Sequence, residues 1–295
     1  MPGSATGTGD LDTYRGTRRF VHIDIEPTQL GKVFEPDLGI VGHARPTLAA
    51  LTAEARRRTQ PRPIGDWVET VRQLRETLVR RDDFADVPIK PPRIFRELND
   101  FYPADTTFVT AIGLYQIWSG QFQRTFLPRR YLVCGQAGPL GWEIPAAIGV
   151  KCAHPDREVV AVVGDYSFQF LMEELAVAAQ YRIPFVIVMI NNEYLGLIRQ
   201  AEIPYDMNYA VDLHYGENGV DHMTLMEAFG CPARRVHHPE DIAGALAWAR
   251  TESETRQLPV LVEIMVERTA NAAMGPSLDA IVEYEPTPEL RFSGS

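Results

Sequence analysis

The chain has 295 residues, enough to bury a sizeable core, and its 45% hydrophobic and 23% charged content matches folded globular domains. A formal net charge of −10 with no long stripe of Lys or Arg excludes a nucleic-acid binder, because phosphate affinity needs gathered cations. No apolar run approaches the ~20 residues of a membrane span, so no membrane contact is expected, and the odd, widely spaced Cys134, Cys152 and Cys231 argue against a disulfide framework or zinc site and for a reducing, cytoplasmic setting.

Residues 1–13 are small, polar and Gly-rich and read as a flexible leader. Strands are expected at Val21 to Ile25, ended by Pro27, and at Leu38 to Gly42, with a helix from Pro46 to Arg58. Residues 14–60 thus make about two strand-helix steps, too little to close a domain alone. From Ile64 to Arg81 the apolar residues Trp67, Val68, Val71, Leu74 and Leu78 recur at helical spacing, so residues 61–90 read as a connecting helix and linker. The runs Arg56 to Arg58 and Arg80 with Arg81 suit solvated helix faces.

Over residues 91–295 the rhythm becomes an alternation. A helix near Pro92 to Phe101 precedes strands at Thr107 to Ala111 and Arg130 to Cys134, and a helix begins near Ile144. Strand Val159 to Val163, helix Phe168 to Tyr181 and strand Phe185 to Ile190 follow, then helix His222 to Phe229, strand Arg234 to Val236, helix Pro239 to Ser253 and strand Val260 to Val266. Continuous apolar strands alternating with helices define an α/β fold with a parallel sheet covered on both faces, and such sheets bind ligands beyond the carboxyl ends of their strands.

Two strand ends carry the chemistry: Gly164 and Asp165 close one apolar strand, and Asn191 and Asn192 close the next, with Asn192 27 residues after Asp165. Gly-Asp or Asn-Asn alone is an ordinary turn signal. One helix apart, the two ends should emerge side by side and aim a carboxylate and an amide at a common point. Asp165, the Asn192 carbonyl and the backbone carbonyl of Tyr194 suit a hard cation such as Mg²⁺, which prefers oxygen ligands and shares them with phosphates. A helix beginning near Phe168 would add its amide groups, and Ser167 a hydroxyl, for a diphosphate. A Rossmann reading fails on spacing, since CGQAGPLGWEIPAA holds Pro139 where the glycine fingerprint should run. His222, His237 and His238 read as surface or turn residues rather than bases, and the seven histidines show no metal-ligand clustering.

The segment GDYSFQFLMEELAVAAQYRIPFVIVMINN resembles the motif of the thiamine-diphosphate enzymes, which begins with GDG and closes with NN. Within them FVHIDIEPTQLGKVFEPDLGIV, IGLYQIW, CGQAGPLGWEIPAAIGV and NNEYLGLIRQ are similar to the glyoxylate carboligases, with likeness from Tyr14 to about Glu285. Tyr166 stands where most of these enzymes have Gly; the carboligases resemble this chain in carrying an aromatic there.

The resemblance implies a thiamine-diphosphate-binding fold after a partial central domain. It implies Mg²⁺ on Asp165, Asn192 and the Tyr194 carbonyl, with Gly164, Tyr166, Ser167, Leu195 and Gly196 along the diphosphate. Leu114, Tyr115 and Gln116, in the GLYQ turn, and Gly138 would approach from the other side, and Leu140 would be the catalytic wedge that holds the cofactor's two rings bent. Arg199 is the candidate for a substrate carboxylate, since a guanidinium matches that group. The reaction implied joins two glyoxylate molecules to tartronate semialdehyde with loss of CO₂. Relatives add a pyrimidine-binding domain, met across subunits, so a homo-oligomer and a partner domain from another chain are expected. The chain would then be the C-terminal portion of such an enzyme, and FAD, held by some relatives in the central domain, is not expected. An acetolactate synthase-like pyruvate carboligase and a non-catalytic cofactor-binding module remain alternatives.

Overall fold

The computed structural model describes residues 15–60, 65–135, 137–202, 207, 211–213 and 219–272. The expected leader and Ile64 lie outside these. Two compact units divide between Val79 and Arg80.

In the smaller unit β1 (Val21–Asp24) pairs in parallel with β2 (Leu38–Val41), and α1 (Ala44–Arg58) and α2 (Asp66–Thr77) follow. His43 caps α1 by accepting from the Arg45 N–H at 3.2 Å. Neither helix has a buried residue. The apolar stripe that marks α2 in the sequence is exposed, Trp67 at 72% and Leu74 at 46%, so periodicity located this helix without a core to bury it.

The larger unit contains a six-stranded parallel sheet in the order β4-β3-β5-β6-β8-β7. Its strands are β3 (Thr107–Thr110), β4 (Tyr131–Val133), β5 (Val159–Gly164), β6 (Val186–Asn191), β7 (Ala233–Val236) and β8 (Val260–Met265). β5 and β6 are buried along their whole length, as unbroken apolar runs require. Alternate side chains of β5 serve different cores: Val160 and Val162 face one containing Phe95, Trp118 and Leu246, while Val159, Ala161 and Val163 face another containing Ile144, Leu175 and Met226. The helices are α3 (Pro91–Phe101), α4 (Leu114–Phe122), α5 (Glu143–Ala153), α6 (Asp165–Phe170), α7 (Glu174–Gln180), α8 (Gly196–Glu202), α9 (His222–Ala228) and α10 (Ile242–Arg256). This is the α/β architecture expected. The strand order reverses between β3 and β5, a switch point where open α/β sheets take their ligands.

Three expectations change. The GLYQ segment, read as a turn, is the first turn of α4. The helix expected from Phe168 to Tyr181 is two, α6 and α7, broken at Leu171, whose φ of −136° and ψ of 30° leave the helical region. No Gly or Pro signals that break; Phe170 and Leu171 pack instead where a Cβ on Gly141 would meet them at 2.9 Å. Finally, the far end of the 61–90 segment packs in the larger unit, where Ile89 is fully buried and bridges to Val266.

Candidate functional site

β5 and β6 pair with Gly164 opposite Ile190, so Asp165 and Asn192 leave the sheet as neighbours. A cavity of about 300 Å³ lies over these ends and over the β3–α4 connection. Every site residue expected from the sequence lines it except Gln116 and Arg199. Arg199 instead pairs with Glu202 at 3.3 Å and is 41% exposed. The remaining lining is Gly113 and the apolar side chains of Ile112, Trp118, Ile190, Leu197 and Ile198.

Close approach explains two of the glycines. A Cβ on Gly164 would sit 2.8 Å from Tyr115 Cε1, and one on Gly196 would sit 2.6 Å from Leu114 Cδ1 and 2.9 Å from Asn192 Nδ2. Side chains there would push the cavity wall inward. Tyr166 needs no glycine, because it lies in the first turn of α6 and packs edge-on against Phe170, ring centroids 5.1 Å apart.

Asp165 is 5% exposed. Its Oδ1 accepts the Tyr166 N–H at 2.8 Å and its Oδ2 the Glu193 N–H at 2.9 Å, which leaves lone pairs on both oxygens. The helix starts at Asp165 rather than near Phe168, so one of its first-turn amides, that of Tyr166, is taken by this carboxylate and not left for a phosphate. Burial pushes the Asp165 carboxyl up to about 7, against the two N–H bonds and the charge of His222. Glu193 has a left-handed φ of 56°, held because Asp165 and the Asn191 side chain (3.0 Å) both accept its N–H. The next residues are fixed by Leu195 N–H to Val211 O and Leu213 N–H to Glu193 O, each 2.9 Å. Both asparagines shape the turn, Asn192 Oδ1 accepting the Tyr194 N–H at 3.4 Å, and only Asn192 of the two lines the cavity.

Two buried groups escaped the sequence reading. His222, read as a surface residue, is 2% exposed and its Nδ1 lies 2.7 Å from Glu263 Oε1. Glu263 also accepts from Asn191 Nδ2 at 2.7 Å and Arg235 Nε at 2.6 Å. An acid inside the apolar run VLVEIM was the available signal, since an unpaired charge is not tolerated in a central strand. Glu143, in α5, is the second, and burial pushes its carboxyl above the usual range. His237 and His238 are exposed.

Among the described residues no three His, Cys, Asp or Glu side chains gather into a metal cluster. What the cavity offers is one buried carboxylate with lone pairs free and an amide beside it. That donor set fits a hard cation that takes its other ligands from a phosphate or water, and the glycine-lined wall fits a ligand lying against the backbone.

Residues 111–264 match the family model described as thiamine pyrophosphate enzyme, C-terminal TPP binding domain, and the chain belongs to that family. Within it the chain is similar to the glyoxylate carboligase of Escherichia coli O157:H7, 46% identical over 290 residues, 94% of this chain and 49% of that protein. It is less similar to a probable acetolactate synthase large subunit of Methanococcus aeolicus, 30% identical over 94% of this chain and 49% of the relative. The acetolactate synthase large subunit of Corynebacterium glutamicum is 33% identical over 89% of this chain and 42% of its own length. The chain spans about half the length of these curated relatives. Among the described residues no helix is long and apolar enough to cross a membrane.

Proposed function

We propose that the chain is the thiamine-diphosphate- and Mg²⁺-binding part of a carboligase that joins two glyoxylate molecules to tartronate semialdehyde with release of CO₂. The observation that carries this reading is the convergence of Asp165, Asn192 and Leu140 on one cavity at the switch point of the sheet. Asp165 and Asn192, with the backbone carbonyl of Tyr194, hold Mg²⁺; Gly164, Leu195 and Gly196 let a diphosphate lie close to the backbone. Leu140 faces the same cavity and acts as the wedge on the rings, while the apolar side chains around it exclude water. When bound, thiamine diphosphate supplies the carbon nucleophile and electron sink that the reaction requires. The contribution of these residues is orientation, worth several kcal/mol where reacting groups are held in place.

A pyrimidine-binding domain from another chain completes the site in this reading, within a cytoplasmic homo-oligomer. In this reading residues 14–60 are the end of a central domain and 61–79 a connector, and the diphosphate-binding domain begins at Arg80 rather than at residue 91. Glyoxylate is favoured over pyruvate because identity to the glyoxylate carboligase exceeds that to the acetolactate synthases. Arg199 is assigned no part in substrate binding, given its pairing with Glu202.

The test supplies a separately produced pyrimidine-binding domain, thiamine diphosphate and Mg²⁺, and follows CO₂ release from glyoxylate and pyruvate in competition. Release from glyoxylate that Asp165→Ala abolishes is the expected result. A preference for pyruvate would replace the substrate, and activity surviving Asp165→Ala would remove the metal site.

A further inference from the structure

Glu143 has no role in the function proposed above, yet it is fully buried beside the cavity. Tyr115 Oη donates to its Oε1 at 2.5 Å, and Ser167 Oγ lies 2.9 Å from Oε1 and 3.1 Å from Oε2. Ser167 Oγ in turn accepts the Gly141 N–H at 2.9 Å. No ion pair to Glu143 occurs among the described residues, so these two hydroxyls, with its own backbone N–H, are its compensation. Burying a carboxylate costs several kcal/mol unless its hydrogen bonds are well made, and nothing in the packing of α5 against the sheet requires an acid.

The bonding has a direct consequence for the cavity wall. The hydroxyl hydrogens of Tyr115 and Ser167 are both committed to Glu143, so neither is left to donate to a phosphate oxygen. These side chains act as struts. Through them one carboxylate ties three separate segments: the β3–α4 connection at Tyr115, the turn carrying Leu140 through the Gly141 N–H, and the β5–α6 junction carrying Asp165 through Ser167. Gly141, at φ +81°, has no room for a side chain, so the Leu140 turn cannot be steadied by packing of its own at that point.

We infer that Glu143 is a positioning residue that sets the separation between the wedge at Leu140 and the metal clamp at Asp165, so that both engage one ligand molecule. The inference rests on reading the cavity as a thiamine-diphosphate site. It predicts that loosening Glu143 costs the gain from holding rings and diphosphate together and spares the clamp itself. Gln is the informative replacement, because it keeps the size and sets an N–H₂ donor against one of the two hydroxyl donors.

The experiment titrates the full chain, with Mg²⁺, against thiamine diphosphate and against inorganic diphosphate, by calorimetry or through the fluorescence of Trp118 in the cavity lining. The ratio of the two affinities measures what the rings add. Glu143→Gln should reduce that ratio about tenfold, roughly 1.4 kcal/mol, with inorganic diphosphate affinity changed less than about threefold. Ser167→Ala should lower the ratio too, and the double variant should be no worse than the worse single. Equal weakening of both ligands, or an unchanged ratio, marks a merely structural role and overturns the inference. Should Glu143→Gln fail to fold, Tyr115→Phe and Ser167→Ala each remove one strut, and an unchanged ratio in both overturns it equally. If the unmodified chain shows no Mg²⁺-dependent binding of thiamine diphosphate, the proposed function falls first, which distinguishes the two failures.

Discussion

Asp165 at the end of β5 and Glu263 within β8 are both acids buried in the same sheet, close enough for the charge of Glu263 to act on Asp165, yet their surroundings differ in kind. Burial pushes Glu263 up, but His222, Arg235 and Asn191 outweigh it and hold its carboxyl below the usual range. At Asp165 two backbone N–H groups and the more distant His222 do not suffice, and the carboxyl rises to about 7. One acid is compensated within the fold and the other is not. Glu263 has Arg235 and His222 built in as partners, whereas in the function proposed above Asp165 takes its cation from outside.

The strongest way to break the contrast is Asp165→Asn. It should weaken Mg²⁺-dependent thiamine diphosphate binding by more than about a hundredfold, roughly 3 kcal/mol, in a calorimetric titration. The metal-free fold should persist, since removing a buried charge offsets the one backbone N–H, of Tyr166 or Glu193, that loses its acceptor to the Asn amide donor. Binding retained within tenfold would mean that Asp165 holds no metal.

The reverse pattern is expected at Glu263. Glu263→Ala leaves Asn191, His222 and Arg235 without their common acceptor, and removing one partner of such a buried network costs about 3 kcal/mol or more. Thermal unfolding should show the loss in the absence of any ligand. Equal melting temperatures for the variant and the parent chain would remove the distinction between the two acids.

Why one acid was legible in sequence and the other was not follows from what each depends on. Asp165 and Asn192 depend on strand ends, and unbroken apolar runs such as VVAVV and VIVMI mark those ends without knowledge of the tertiary fold. The sheet and most of its helices were readable for the same reason. His222 and Glu263 meet across 41 residues of sequence, a pairing that no local pattern encodes. Glu143 is hidden likewise, because its partners Tyr115 and Ser167 come from two other connections. α4 was missed because in IGLYQIW a Gly stands just before the helix and too few polar residues follow to show a helical stripe, and the break between α6 and α7 because it answers to Gly141 on another loop.

Titration sharpens the comparison with a smaller effect. A carboxyl whose folded value is raised from 3.8 to about 7 stabilises the metal-free fold below 3.8, and that contribution is lost as pH rises through 7. The stability of the parent chain relative to Asp165→Asn should therefore increase as pH is lowered from 8 to 5, by at most about 1.4 kcal/mol per unit. Protons and the cation compete for the same oxygens, so Mg²⁺ affinity should fall, up to about tenfold per unit, below pH 7. A flat difference in melting temperature across that range would show that Asp165 keeps its charge without a cation.

The smallest effect comes from Gly196, on the amide side of the clamp. A Cβ there meets Leu114 Cδ1 at 2.6 Å and Asn192 Nδ2 at 2.9 Å, both ends of side chains that can move. The fold should therefore tolerate Gly196→Ala with little change in melting temperature, while the Asn192 amide is displaced from the cavity. Overpacking of this kind costs about 1 kcal/mol at its mild end, or roughly a fivefold loss of cofactor affinity. The loss should appear with inorganic diphosphate as well as with thiamine diphosphate, because it acts on the clamp and not on the wedge. Gly196→Ala and Glu143→Gln would then divide the cavity into its two halves, one losing affinity for both ligands and the other for the ring-bearing ligand alone.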